Sequence, residues 1–298
     1  MASAQDTRRR IRSVANTQKI TRAMELVAAA KLRRAQERIE SMRPYADRML
    51  ELMGGVSRAA TTVRSIPLLQ RRESVKTVAL LAVTGDRGLA GAFNSQVLRR
   101  AFAVERDLRQ DGLQVRWLAT GKKGRSTLTF RRYDLAQAWT GFSDSPAYAD
   151  AQAIAHALAE LYENGEVDRV VIVYNRFVSA LVQRVTVQDV LPVPEEVLRL
   201  GEEAEREEAV LRGDFIYEPE PEQILVRLVP VYLETELYRA LLESAASEQG
   251  ARMTAMRNAS KNAGELIDRL KLEMNRARQA EITQEILEVV AGADALGQ

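Results

Sequence analysis

Cysteine is absent and histidine occurs once, at position 156. These two shortages exclude a disulfide framework, a thiolate zinc site, a cysteine nucleophile and most histidine-based metal sites. No apolar run approaches the roughly 18 residues of a membrane span, and the opening MASAQDTRRRIRS has no apolar stretch of the kind a secretory signal needs after its charges. A soluble, cytoplasmic chain is expected. Net charge is also scarce: 43 Lys and Arg against 41 Asp and Glu leave +2 over 298 residues, so the whole-molecule field gives no pull towards nucleic acid. Apolar residues are not scarce, and a 46% hydrophobic chain of this length can bury an ordinary core.

Aromatic residues make up only 5% of the chain and are unevenly placed. Trp117, Trp139 and the phenylalanines at 93, 102, 130, 142 and 177 all lie in the middle of the sequence. The two ends are built from Ala, Leu, Met, Ile, Val, Arg, Glu and Gln. Large rings fill thick globular cores, whereas small and unbranched side chains suit narrow helix seams. Two kinds of structure are therefore expected, a globular insert between two helical arms.

The first arm has no proline except Pro44 and no glycine before Gly54, which allows a helix of about 80 Å at 1.5 Å per residue. Ala28, Leu32, Ala35, Ile39, Met42, Ala46, Met49, Met53 and Val56 alternate by four and three, the spacing of a coiled-coil stripe. Upstream the apolar stripe shifts to Ile20, Met24 and Val27, which predicts a phase change, and Pro44 predicts a kink. The second arm follows Pro219 and Pro221 and runs towards Gly292, with a kink or short break expected near Pro230. Its stripe is Met253, Met256, Ser260, Ala263, Ile267, Leu270, Met274 and Ala277. Two stripes flanking one insert pair most economically with each other, antiparallel, although each could instead pack in an ordinary helical bundle.

Charge is segregated despite the overall balance. Residues 1–58 carry net +7, with Arg8, Arg9, Arg10 and Arg12 in one block, while residues 195–222 carry net −8. The basic arm lacks aromatic interleaving for base stacking, so a solvated face or a surface touching acidic protein is the reading.

In the insert, TVALLAV at 77–83 reads as a buried strand, followed by a glycine-rich turn, TGDRGLAG, and a helix to about Arg109. Residues 114–119 read as a strand, 147–163 as a helix, 167–174 as a strand and 182–190 as a strand antiparallel to its neighbour because the link is short. A small Rossmann-like sandwich with one mixed edge results. Gly85, Gly88 and Gly91 are spaced G-x-x-G-x-x-G, and Gly121-Lys122-Lys123-Gly124-Arg125-Ser126 also lacks Walker spacing, so both read as structural turns. His156 sits among Ala, Leu and Ile on its helix with no nearby cysteine or histidine and reads as a packing or surface residue. Asp86 and Arg87 could form an acid–base pair, but an exposed turn is the commoner use. No nucleophile and base constellation stands out. Beside a coiled-coil adaptor, a Rossmann enzyme and a basic-helix nucleic-acid binder remain open at this point.

The arms also carry specific motifs. NTQKITRAMELVAAAKLRRAQ at 16–36, SEQGARMTAM at 247–256 and ARQAEITQEI at 277–286, together with TGDRGLAGAFN and IYEPEP at 216–221, resemble the gamma subunits of F-type ATP synthases over essentially the whole chain. The resemblance implies an α/β protein in which the N- and C-terminal helices form a long antiparallel coiled coil around an inserted Rossmann-like domain. Its implied parts are a helix at 1–58, the α/β domain at 75–192 and a helix at 210–291. It implies a non-catalytic rotary shaft that couples ion-driven rotation of a membrane ring to ATP synthesis or hydrolysis in a hexamer. The implied partners are the alpha and beta subunits, the epsilon subunit and the c-subunit ring, with no nucleic acid, cofactor or metal. Membrane association would be indirect, on the cytoplasmic face of a bacterial membrane. Met24, Arg252, Arg278, Gln279, Thr283 and Glu285 match hexamer-contact positions, and Tyr217 and Glu218 match the foot on the c ring. The paired cysteines of the chloroplast form are missing here, so thiol regulation of that kind is not expected.

Overall fold

Two long helices flank a five-stranded sheet in the order of the chain. The structure is a computed structural model and describes residues 4–60, 66–194, 197 and 218–296. The elements are α1 (Ala4–Ala59), a 3-10 turn (Pro67–Leu69), β1 (Thr77–Val83), α2 (Phe93–Gln110), β2 (Gln114–Thr120), α3 (Lys122–Phe130), β3 (Leu135–Trp139), α4 (Tyr148–Glu163), β4 (Arg169–Phe177), β5 (Gln183–Leu191) and α5 (Pro221–Leu296). Contacts divide the chain into two units, residues 29–252 and residues 1–28 with 253–298.

In the larger unit the strand order is β3-β2-β1-β4-β5. The first four strands are parallel, with Leu80 opposite Trp117 and Val171, and β5 runs antiparallel to β4 with Val187 opposite Val173. The mixed edge is therefore where the short link predicted it. TVALLAV reads as a continuous apolar run because β1 is covered on both faces. Val78, Leu80 and Ala82 pack with Val97 and Ala101 of α2 and Leu128 of α3. Ala79, Leu81 and Val83 face a second core that includes Ile154 and Leu158 of α4, Met49, Met53 and Val56 of α1 and Leu225, Val229 and Leu233 of α5. That core joins the late turns of α1 to the early turns of α5, as antiparallel pairing requires.

Sequence reading missed α3 and β3. α3 buries only Gly124 and Leu128, so KKGRSTLTF carries little apolar pattern. β3 is an edge strand with an exposed middle, and its LAQAW sequence lacks β-branched residues. The kink or break expected near Pro230 is not a break: α5 remains helical through Pro230, Gly250, Gly264 and Gly292, and α1 through Pro44. A proline removes one helix N–H, and burial of the neighbouring Val229, Tyr232 and Leu233 holds the surrounding turns in place.

In the smaller unit, α1 and α5 are joined side by side. Gln18 Nε2 donates to the Ser260 carbonyl at 3.3 Å, and Arg257 Nε donates to Glu25 Oε1 at 2.9 Å. The expected phase change in α1 does not occur. Ile20 and Val27 are exposed and Met24 is half-buried, while Thr7, Ile11, Val14, Gln18, Thr21, Glu25 and Ala28 form a continuous buried or half-buried row. These continue the four-three register of the downstream stripe without interruption. Polar residues occupy the seam here, so an apolar search chose the neighbouring face. The predicted stripe of the second arm, by contrast, is buried or half-buried at every named position from Met253 to Ala277.

Candidate functional site: exposed shaft surfaces and a closed crevice

An open sheet of parallel strands binds ligands beyond the carboxyl ends of its strands, where the strand order reverses. Here the reversal lies between β1 and β4, and the glycine-rich turn after β1 stands beside it. The turn is bonded to the elements around it. Thr84 Oγ1 donates to the Thr120 carbonyl at 2.6 Å, and Gly85 N donates to Asn94 Oδ1 at 2.8 Å. The Asp86 carboxylate accepts N–H groups from Gly141 (2.9 Å), Lys122 (3.0 Å) and Ser143 (3.1 Å). Burial alone would push this carboxyl up, but those donors outweigh burial and hold it below its ordinary range. Asp86 thus spends its charge on the loop that begins α3 and the loop after β3, and the acid–base reading with Arg87 is replaced by a loop-pinning one.

The crevice itself is filled by α5. A Cβ placed on Gly85 would stand 2.7 Å from the Glu248 carboxylate, which therefore occupies the space an approaching phosphate would need. Glu248 forms a buried ion pair with Arg252, whose Nη2 also donates to the Gly88 carbonyl at 3.3 Å. Burial pushes the Glu248 carboxyl up, opposed by the Arg252 guanidinium. Following Gly88 in the chain, Leu89 is held at φ 62° and is 64% exposed. Beside Thr84, Thr120, Ser143 and Glu248 only about 10 Å³ of space remains, at the limit for one water. A negative side chain lining a filled crevice cannot cradle a nucleotide. Among the described residues no cluster of His, Asp and Glu is placed to hold a metal. His156 is 65% exposed on α4, with Nε2 3.3 Å from Glu234 Oε1.

The predicted contact residues are spread along the helices. Met24 is half-buried between the exposed Ile20 and Val27. Arg252 is 8% exposed and committed to Glu248 and Gly88. Arg278, Gln279, Thr283 and Glu285 are exposed on α5. Gln279 and Thr283 share a face, where Thr283 Oγ1 donates to the Gln279 carbonyl at 2.9 Å, and Arg278 and Glu285 share another by their seven-residue spacing. Glu218 is exposed just before α5, and Tyr217, with most of the acidic segment, lies outside the described residues. From Glu281 to Val290 every residue of α5 is exposed, including Ile282, Ile286, Leu287, Val289 and Val290.

A family model described as ATP synthase matches residues 3–296. The ATP synthase gamma chain of Rubrobacter xylanophilus is 48% identical over 296 residues, covering 99% of each chain. The chain belongs to the ATP synthase gamma-chain family. The gamma chain of Nostoc punctiforme is 46% identical over 317 residues, covering 99% of this chain and 100% of its own. Among solved structures, the central stalk and c-ring of the Tetrahymena thermophila mitochondrial ATP synthase contains a chain with a TM-score of 0.59 at 29% identity, matched over 81% of this chain and 99% of that one. A chain in the Euglena gracilis mitochondrial ATP synthase, OSCP/F1/c-ring in rotational state 3, gives a TM-score of 0.69 at 18% identity over 98% and 94%, a likeness of fold. A gamma chain is the central rotary-shaft subunit of a complex that makes ATP and is itself non-catalytic. Among the described residues no helix is long and apolar enough to cross a membrane.

Sequence reasoning missed the closing of the crevice. Its signal was present in LESAASEQGAR, a helical stretch of small and polar residues with no continuous solvated face.

Proposed function

We propose that this chain turns inside a hexamer of alpha and beta subunits, stands on a c-subunit ring, carries an epsilon subunit and works at the cytoplasmic face of a bacterial membrane. The observation that carries this reading is the exposed apolar sleeve of α5 from Ile282 to Val290, on a chain whose membership of the family spans its full length. A sleeve of methyl groups has few directional hydrogen bonds and so does not lock to one angle of a surrounding collar. The helix at 1–58 and the helix at 210–291 serve as the shaft, and the domain at 75–192 serves as the body outside the hexamer. Met24, in the row of Ile20 and Val27, meets a lever loop of the catalytic subunit. Arg278, Gln279, Thr283 and Glu285 supply polar contacts higher on the shaft. Arg252 acts through the glycine-rich turn that it holds. At the other end Tyr217 and Glu218, in the acidic stretch, pair with basic side chains of the ring loops.

The test is reconstitution with hexamer and membrane ring in vesicles, where ATP hydrolysis and proton pumping are measured together. Met24→Lys places a cation against an acidic lever loop and over-stabilises one rotational state, so pumping per ATP falls further than hydrolysis does. Failure of the chain to enter the complex, or parent behaviour of Met24→Lys in both activities, overturns the assignment.

A further inference from the structure

Residues Leu241 to Gly250 of α5 are buried without exception, although five of the ten are Glu, Ser or Gln. A helix buried all round is normally apolar all round. These turns are instead gripped by the rest of the larger unit through polar contacts on successive sides. Ser247 Oγ donates to the Asn175 carbonyl near the end of β4 at 3.1 Å. Glu248 lies against Gly85 and pairs with Arg252, and Arg252 reaches the Gly88 carbonyl. Gln249 Nε2 donates to Asp144, in the loop between β3 and α4, and Lys31 of α1 pairs with the same carboxylate. At Gly250 the helix backbone approaches the β4–β5 hairpin so closely that a Cβ would lie 3.1 Å from the Ala180 carbonyl.

Successive helix residues are about 100° apart, so positions 247 to 250 alone cover the circumference. Apolar packing resists sliding and separation, but it is not directional and does not by itself single out one angle of the helix as sharply as oriented polar contacts do. Directional hydrogen bonds and a close backbone approach on four sides do resist rotation about the helix axis. The four holding segments are the turn after β1, the loop after β3, the end of β4 and the β4–β5 hairpin. Together they form the rim of the crevice that in an open α/β sheet would face a ligand.

The geometry points to a torsional lock, in which the ligand crevice of the Rossmann-like sheet has become a socket that fixes the rotational angle of α5 and passes torque between the α/β body and the shaft helix. This inference rests on the shaft reading. Ser247 and Gln249 are positioning residues in it, acting through the carbonyl of Asn175 and the carboxylate of Asp144.

The experiment uses the Ser247→Ala/Gln249→Ala double variant, which leaves no buried charge unpaired because Asp144 keeps Lys31. Gln249→Ala alone is the fallback if the double variant does not fold. Hydrogen exchange on the full chain should show amides at residues 85–88 and 141–144 exchanging about tenfold faster, with those of β1 near Leu80 unchanged, since only local opening is eased. In vesicles holding the complete complex, hydrolysis without a gradient should match the parent, while pumping against a preformed proton gradient should fall. Thermal midpoints close to the parent separate this from general destabilisation. Unchanged exchange at the rim, or parent pumping against the gradient, overturns the lock, as does a uniform rise in exchange with a parallel fall in hydrolysis. If the parent chain itself fails to assemble or pump, the shaft reading falls, and faster exchange confined to the rim still supports the grip.

Discussion

Two stretches of the same helix obey opposite rules. Between Leu241 and Gly250 α5 is buried on all sides with polar residues, whereas between Glu281 and Val290 it is exposed on all sides with five large apolar ones. Hydropathy alone would reverse the two. The first stretch is held by a fold that supplies partners for Ser247, Glu248 and Gln249, and burying a satisfied hydrogen bond costs little. The second leaves its methyl groups uncovered by any of the described residues.

The contrast is most open to challenge at its ion pairs. Glu248–Arg252 and Lys261–Glu265 are both i,i+4 pairs of α5, with side-chain exposures of 2% and 10% in the first and 75% and 64% in the second. Glu248→Ala leaves a buried guanidinium unpaired and should cost about 3–5 kcal/mol in chemical denaturation. Glycines come next. Gly250→Val drives a branched side chain towards the Ala180 backbone and should cost about 2–3 kcal/mol, while Gly264→Ala meets only the flexible end of Gln18 and should be neutral or stabilising by a few tenths of a kcal/mol. An equal loss at the two glycines would erase the distinction between socket and seam.

The buried carboxylates provide a subtler comparison because their shifts have opposite signs. Glu25 in the α1–α5 seam is held below 4.5 by its hydrogen bond to Arg257, with Arg22 assisting. Its contribution is present above pH 4.5 and is lost as pH falls through its folded value. Glu248 and Glu243, in the socket, are pushed above 4.5 by burial. Their ionisation opposes folding at higher pH, and that opposition is relieved as pH falls through their folded values towards 4.5. Acidification to just below pH 4.5 should therefore speed amide exchange around residues 18–28 before it does so at 243–250. The reverse order would show that the signs are misassigned. Smallest of all is Glu265→Ala, expected within about 0.5 kcal/mol of the parent because both partners are solvated.

Much of this contrast was legible beforehand in particular residues. The stripe from Ala28 to Val56, the stripe from Met253 to Ala277 and the run TVALLAV each bury apolar groups at the period of their element, and all three stand where the pattern placed them. β3 and α3 were not legible because an edge strand and a short helix with two buried residues need little pattern. The upstream stripe was misplaced by one helix position because Gln18, Thr21 and Glu25 are seam residues only once Arg257 and Ser260 stand opposite them.

The amino-acid order by itself determined the two helical arms, the α/β insert and the family, because periodicity and motif are local properties of the chain. Only the tertiary structure decided that the crevice is closed, that Asp86 pins loops and that Arg252 points inward. Each depends on groups far apart in sequence, Glu248 against Gly85, Gly141 beside Asp86, Arg252 beneath Gly88, and a polar side chain carries no mark of its partner until folding brings the two within hydrogen-bonding distance.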